Sequence, residues 1–248
     1  MHHCPMITRF APTPSGYLHI GNAVHLRLLA MLAEDRGWQV ALRIDDIDPD
    51  RTRVDYIADI HDMIEWLDVP ITGEKRTQSQ HMEEYARARD ELVAQGAYVC
   101  ACSRTEWHRH AGPGCPRGCS KLDLVTGETA LRMQVGDADI VVWRREGIPA
   151  YHLANIVDDD AMRITHILRG DDLRDATAVQ RSLSAYLPRS TFADIDVLHH
   201  DLLSDDEGRK LSKSAGVQAQ PLARTPEVRA RIEQTAHRLS QTLTSERP

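Results

Sequence analysis

Short apolar runs alternate with amphipathic stretches along most of this chain, and that rhythm limits the folds open to it. Ile7-Thr8-Arg9-Phe10 reads as a short strand running into a Pro- and Gly-containing turn, Ala11 to Gly16. After Gly21, the residues Ala23, Leu26, Leu29, Ala30 and Ala33 recur at helical spacing, and Gly37 stops that helix. Val40 to Ile44 is an apolar run short enough for a buried parallel strand. Val54, Ile57, Ile60, Ile64 and Leu67 mark a second amphipathic helix, and Tyr85 to Leu92 a third that ends at Gly96. Further strands are expected at Ile140–Trp143 and Ile195–Leu198, with helical patterns over Leu173–Leu187 and Thr225–Leu243. Such alternation predicts an α/β fold: a mainly parallel, Rossmann-like sheet with helices on both faces.

Cysteine usage adds a second constraint. Four of the five cysteines, Cys100, Cys102, Cys115 and Cys119, fall in the spacing C-x-C-x12-C-x3-C. Gly112-Pro113-Gly114 and Pro116-Arg117-Gly118 supply turns that fold the second pair back on the first. No basic and apolar leader follows Met1, so export is not expected and the cytoplasm is the default location. In that setting clustered thiols favour a tetrahedral structural Zn2+ site over disulfides. Cys4 is left over. No run reaches the roughly eighteen apolar residues of a membrane span. The net charge of −7 argues mildly against a chain whose main task is gripping nucleic acid, although a local basic groove is compatible with it.

Two stretches carry phosphate chemistry. A strand, a tight turn and a helix start place backbone N–H groups and a positive dipole end where phosphates can sit. His19 lies just before that helix start as a donor, and Gly21 lets the backbone approach a nucleotide. About 190 residues later, Lys210 and Lys213 flank Ser212 between Gly208 and Gly216, a loop able to neutralise a triphosphate. Together the two ends suggest one ATP site.

These stretches bear a family resemblance. His19-Ile20-Gly21-Asn22 and Lys210-Leu211-Ser212-Lys213-Ser214 resemble the HIGH and KMSKS signatures of class I aminoacyl-tRNA synthetases. Arg9-Phe10-Ala11-Pro12-Thr13-Pro14-Ser15-Gly16 is similar to the opening of the glutamyl-tRNA synthetase catalytic domain. Leu42 to Pro49, Tyr98 to Arg104, Ala150 to Ala154 and Leu168 to Asp172 agree, so the resemblance runs from about residue 7 to residue 216. It implies ATP-dependent activation of glutamate, or a close analogue, as an acyl-adenylate with Mg2+. His19, Lys210, Ser212 and Lys213 would be the catalytic residues, and His19, Gly21, Asn22 and Lys213 would bind ATP. Arg9, Ala11, Thr13, Asp45, Tyr151 and Arg169 would hold the amino acid. Asp45 stands where the family normally has Glu, which draws its carboxylate back by more than about 1 Å.

The resemblance also divides the chain. Residues 1–98 would be the first half of the nucleotide-binding domain, 99–135 a zinc-binding insertion, 136–216 the second half with the KMSKS-type loop, and 217–248 a short helical tail. That tail leaves no room for an anticodon-binding domain. The layout resembles the stand-alone members of the family, which pass glutamate to the queuosine base of tRNA(Asp). Cys115 falls where those often carry a tyrosine, which here implies a four-thiolate site. A non-tRNA acyl acceptor (small molecule, peptide or carrier protein) is the alternative, and a monomer is expected.

Overall fold

A computed structural model describes residues 5–110, 114–119, 122–201 and 220–245. The chain forms two compact units, one made of residues 1–79, 162–174 and 195–248, the other of residues 80–161 and 175–194.

The first unit carries the parallel sheet. Strand β1 (Ile7–Phe10) pairs in parallel with β2 (Gln39–Ile44), which pairs in parallel with β3 (Lys75–Thr77). β2 is buried along five of its six residues, as its continuous apolar run requires. Helix α1 (Ile20–Arg36) follows β1 and buries eight aliphatic residues, among them Ala23, Leu26, Leu29 and Ala33. Gly37 ends it at φ 67°, a left-handed cap that a β-carbon would strain, and its N–H returns to the last turn. Helix α2 (Val54–Trp66) packs Ile60, Met63 and Ile64 into the same core.

In the second unit, helix α3 (Met82–Ala94) and strand β4 (Tyr98–Cys100) precede the short helix α4 (Arg104–Arg109). β4 pairs with β5 (Ala130–Val135), and β5 with β6 (Ala138–Trp143). Both pairings are antiparallel, so the expected strand at Ile140–Trp143 belongs to a separate antiparallel sheet and not to the parallel one. The reason is local. Gly136-Asp137 forms a two-residue turn between Val135 and Ala138, with Gly136 at φ 58°, and such a turn folds the chain straight back on itself. Helix α5 (Tyr151–Ala161) then packs on α3.

The chain returns to the first unit at β7 (His166–Gly170), where the Thr165 N–H donates to Ile7 O at 2.9 Å. Helix α6 (Arg174–Ser184) belongs almost wholly to the second unit. Strand β8 (Asp196–His200) pairs in parallel with β7. The last helix, α7 (Pro226–Ser245), buries Ile232, Ala236, Leu239 and Leu243 in the first unit's core against α1. It therefore forms part of the core of that unit. Among the described residues no helix is long and apolar enough to cross a membrane.

Candidate active site and metal centre

The first unit holds a reciprocally capped turn at the head of α1. His19 is the N-cap: its Nδ1 accepts from the Asn22 N–H at 3.3 Å, while Asn22 Oδ1 accepts from the His19 N–H at 3.1 Å. This reciprocal cap has consequences for chemistry. With Nδ1 accepting, the proton of the neutral ring sits on Nε2, which can act as a donor. Burial lowers the His19 pKa, so the neutral ring dominates near pH 7. A neutral donor and a helix N-terminus at one turn are the features that an anionic oxygen calls for. The turn is held from behind, where Asp59 Oδ2 of α2 accepts the Leu18 N–H at 2.8 Å.

Arg9 on β1 and Arg169 on β7 are both almost fully buried cations of this unit. Ala11 is half-buried and Thr13 exposed in the turn beyond β1. Asp45 follows β2, and its N–H donates to Pro12 O at 3.0 Å, which ties it to that turn. Its carboxylate receives Arg43 Nε at 2.6 Å and Nη2 at 3.2 Å, a two-point pair with a wholly buried guanidinium. Tyr151 opens α5 in the second unit, where it is exposed and meets the His152 ring edge-on. Lys210, Ser212 and Lys213 lie outside the described residues.

Beside Arg9 the structure adds a pair that hydrophobic pattern alone does not announce. His25 Nδ1 and His200 Nε2 are 3.0 Å apart, and His200 Nδ1 lies 2.8 Å from Asp201 O. A carbonyl only accepts, so His200 Nδ1–H donates to it, and His200 Nε2 must accept from His25 Nδ1–H. Burial, with His200 and Arg9 as like charges, brings His25 down to about 3; burial also lowers His200. Both rings are neutral at pH 7. The signal available beforehand was a histidine on the apolar face of α1.

In the second unit Cys100, Cys102, Cys115 and Cys119 converge, with all four sulfurs within 4.8 Å of one another. Sulfur separations of 3.6 Å (Cys100–Cys115), 3.5 Å (Cys102–Cys115) and 3.7 Å (Cys102–Cys119) are far too long for disulfides. A tetrahedron with Zn–S bonds of about 2.3 Å has S–S edges of about 3.8 Å, so the donor set fits such an ion. The Cys102 and Cys119 N–H groups donate to Cys100 and Cys115 Sγ at 3.4 and 3.3 Å, the polarisation thiolates need. Burial opposes ionisation of Cys115, yet N–H groups of Cys119 and Arg117 outweigh it and bring the thiol down to about 6. Burial pushes Cys102 up to about 12. Arg145 Nη2 clamps the loop from outside through Ala101 O at 2.8 Å and Cys102 O at 2.6 Å.

The comparisons with known proteins agree with this architecture. The family model for the catalytic domain of class I tRNA synthetases (E and Q) matches residues 5–115 and 109–225. The solved glutamate–tRNA synthetase of Elizabethkingia anophelis superposes with a TM-score of 0.67 at 21% identity, covering 84% of this chain and 52% of that one. The chain belongs to the class I aminoacyl-tRNA synthetase family and is an ATP-dependent amino-acid ligase. Within that class it is similar to the glutamyl-Q tRNA(Asp) synthetase of Rhodobacter capsulatus, 31% identical over 86% of this chain and 93% of the relative. The enzyme of the same name from Ectopseudomonas mendocina is 35% identical over 84% of this chain and 77% of its own length. A glutamate–tRNA ligase of Chelativorans is 33% identical, but this chain spans only 51% of it.

Proposed function

We propose that the protein activates glutamate with ATP and transfers the glutamyl group to the queuosine base of tRNA(Asp). The observation that carries this reading is likeness: relatives of that name are 31%, 32% and 35% identical over 86%, 83% and 84% of this chain. In the first step a glutamate carboxylate oxygen attacks the α-phosphorus. The bond to the bridging oxygen breaks, and pyrophosphate leaves with its electron pair. His19 Nε2–H donates to a phosphate oxygen, and Lys210, Ser212 and Lys213 neutralise charge on the leaving group. Mg2+ carried with ATP supplies further charge neutralisation. Arg9 and Arg169 supply the two cationic partners that a dicarboxylate substrate needs, and Asp45 accepts from the substrate ammonium. In the second step a nucleophile on the acceptor attacks the acyl carbon and displaces AMP.

For the thiol cluster we propose a structural Zn2+ closed by four protein ligands, which leaves no position for a reacting water. It would hold β4, α4 and the loop to Cys119 as one piece.

The test is an amino-acid screen in ATP–pyrophosphate exchange, followed by acylation of queuosine-containing tRNA(Asp). Glutamate-dependent exchange is expected, with label reaching the modified tRNA and not the unmodified one. Lys213→Ala should lower exchange at least about tenfold, as loss of one transition-state charge contact implies. Exchange without acylation of any tRNA would transfer the reading to a non-tRNA acceptor.

A further inference from the structure

Asp59 is a carboxylate placed where an amphipathic helix should carry an apolar residue. It shares the buried face of α2 with Tyr56, Ile60 and Met63 and is itself almost fully buried. Its two oxygens face different parts of the chain. Oδ2 accepts the Leu18 N–H at 2.8 Å, one residue before the His19 cap. Oδ1 receives Arg224 Nη2 at 2.7 Å, from the segment that leads into α7. A neutral oxygen would satisfy the Leu18 amide alone. An ionised one in this environment needs a cation, and Arg224 supplies it. Helix α7 itself is anchored twice more. Arg27 of α1 grips Glu233 with Nε 2.7 Å from each carboxylate oxygen, and Arg229 donates to Trp66 O at 2.8 Å and Asp68 Oδ2 at 2.6 Å.

We propose that Asp59 is a positioning residue for nucleotide binding: it fixes the Leu18 amide, and through it the His19 turn, with its charge held in place by Arg224. The role rests on the ATP site assigned to that turn. The C-terminal segment thus reaches the phosphate-binding turn through one carboxylate, while the Arg27–Glu233 clamp fastens α7 farther along without touching the turn. A single misplaced donor at a phosphate site is enough to weaken binding markedly.

The experiment measures Mg-ATP affinity by equilibrium dialysis, beside the thermal midpoint of each variant and at a temperature where all are folded. Asp59→Asn and Arg224→Ala should each weaken Mg-ATP binding by about tenfold, and Arg224→Lys by no more than about threefold. Glu233→Gln should lower the midpoint and leave the affinity unchanged, which separates positioning from stability. Affinities within about twofold of wild type in folded Asp59→Asn and Arg224→Ala would overturn the role. Should Asp59→Asn fail to fold, Arg224→Ala decides, because the Arg224 side chain is a quarter exposed. Wild-type protein that binds no Mg-ATP would sink the ATP site itself, an outcome distinct from wild-type binding that the variants share.

Discussion

His19 has two jobs that substitution can separate. As N-cap it satisfies a first-turn amide of α1, and as a neutral imidazole it has the Nε2–H proposed to meet a phosphate oxygen. Asn also caps helices well, so His19→Asn keeps the first job and loses the second. We expect exchange to fall at least about tenfold while the thermal midpoint barely moves, measured side by side. The His25–His200 pair predicts a pH effect on stability. Arg9 and His200 face His25, and neither helps it to bind a proton. Unfolded, His25 regains an ordinary pKa of about 6.5. The unfolded chain therefore binds more protons between that value and the folded value of about 3. Stability from this group is complete above about pH 6.5 and falls as pH drops, by about 1.4 kcal/mol per pH unit. Urea denaturation at pH 7 and pH 5 should differ by about 2 kcal/mol less in His25→Gln than in wild type.

At the scale of elements, α7 is the informative case. Its amphipathic pattern at Val228, Ile232, Ala236, Leu239 and Leu243 announced a helix, and the structure seats that stripe against α1. Ile232→Ala would leave a cavity in the first unit's core and should cost about 2–5 kcal/mol, read from denaturant midpoints. The β5–β6 hairpin is the contrary case. The dipeptide Gly136-Asp137 between apolar residues was a legible turn signal. Reading for strand–helix alternation passed over it, because a short apolar strand looks the same in either kind of sheet. Asp59 was legible too, as the one acid spaced onto the apolar face of α2. Its partners were not, since Leu18 lies 41 residues away and Arg224 165.

At the scale of the whole molecule, the two units predict separate sensitivities. The proposed Zn2+ belongs to the second unit only. Purified protein should carry about one zinc per chain, and chelation should lower the thermal midpoint, because metal binding to such a site is folding free energy. Mg-ATP affinity, which we assign to the first unit's turn as a proposal, should survive Cys119→Ser in protein that remains folded. A metal content near zero would refute the four-thiolate site.

Local chemistry is what the linear chain determines by itself. The His19 cap, the Gly37 stop, the apolar strands and the cysteine spacing all act over a few residues, and each left its mark in residue type and period. The order of elements was accessible for the same reason, and the family through the resemblance of short motifs such as Arg9–Gly16 and His19–Asn22. Only the tertiary structure decided which distant polar groups meet: His25 with His200, and Asp59 with the Leu18 amide and Arg224. Buried polar groups must find partners wherever the packed chain brings them, and no local period encodes a partner more than a hundred residues away.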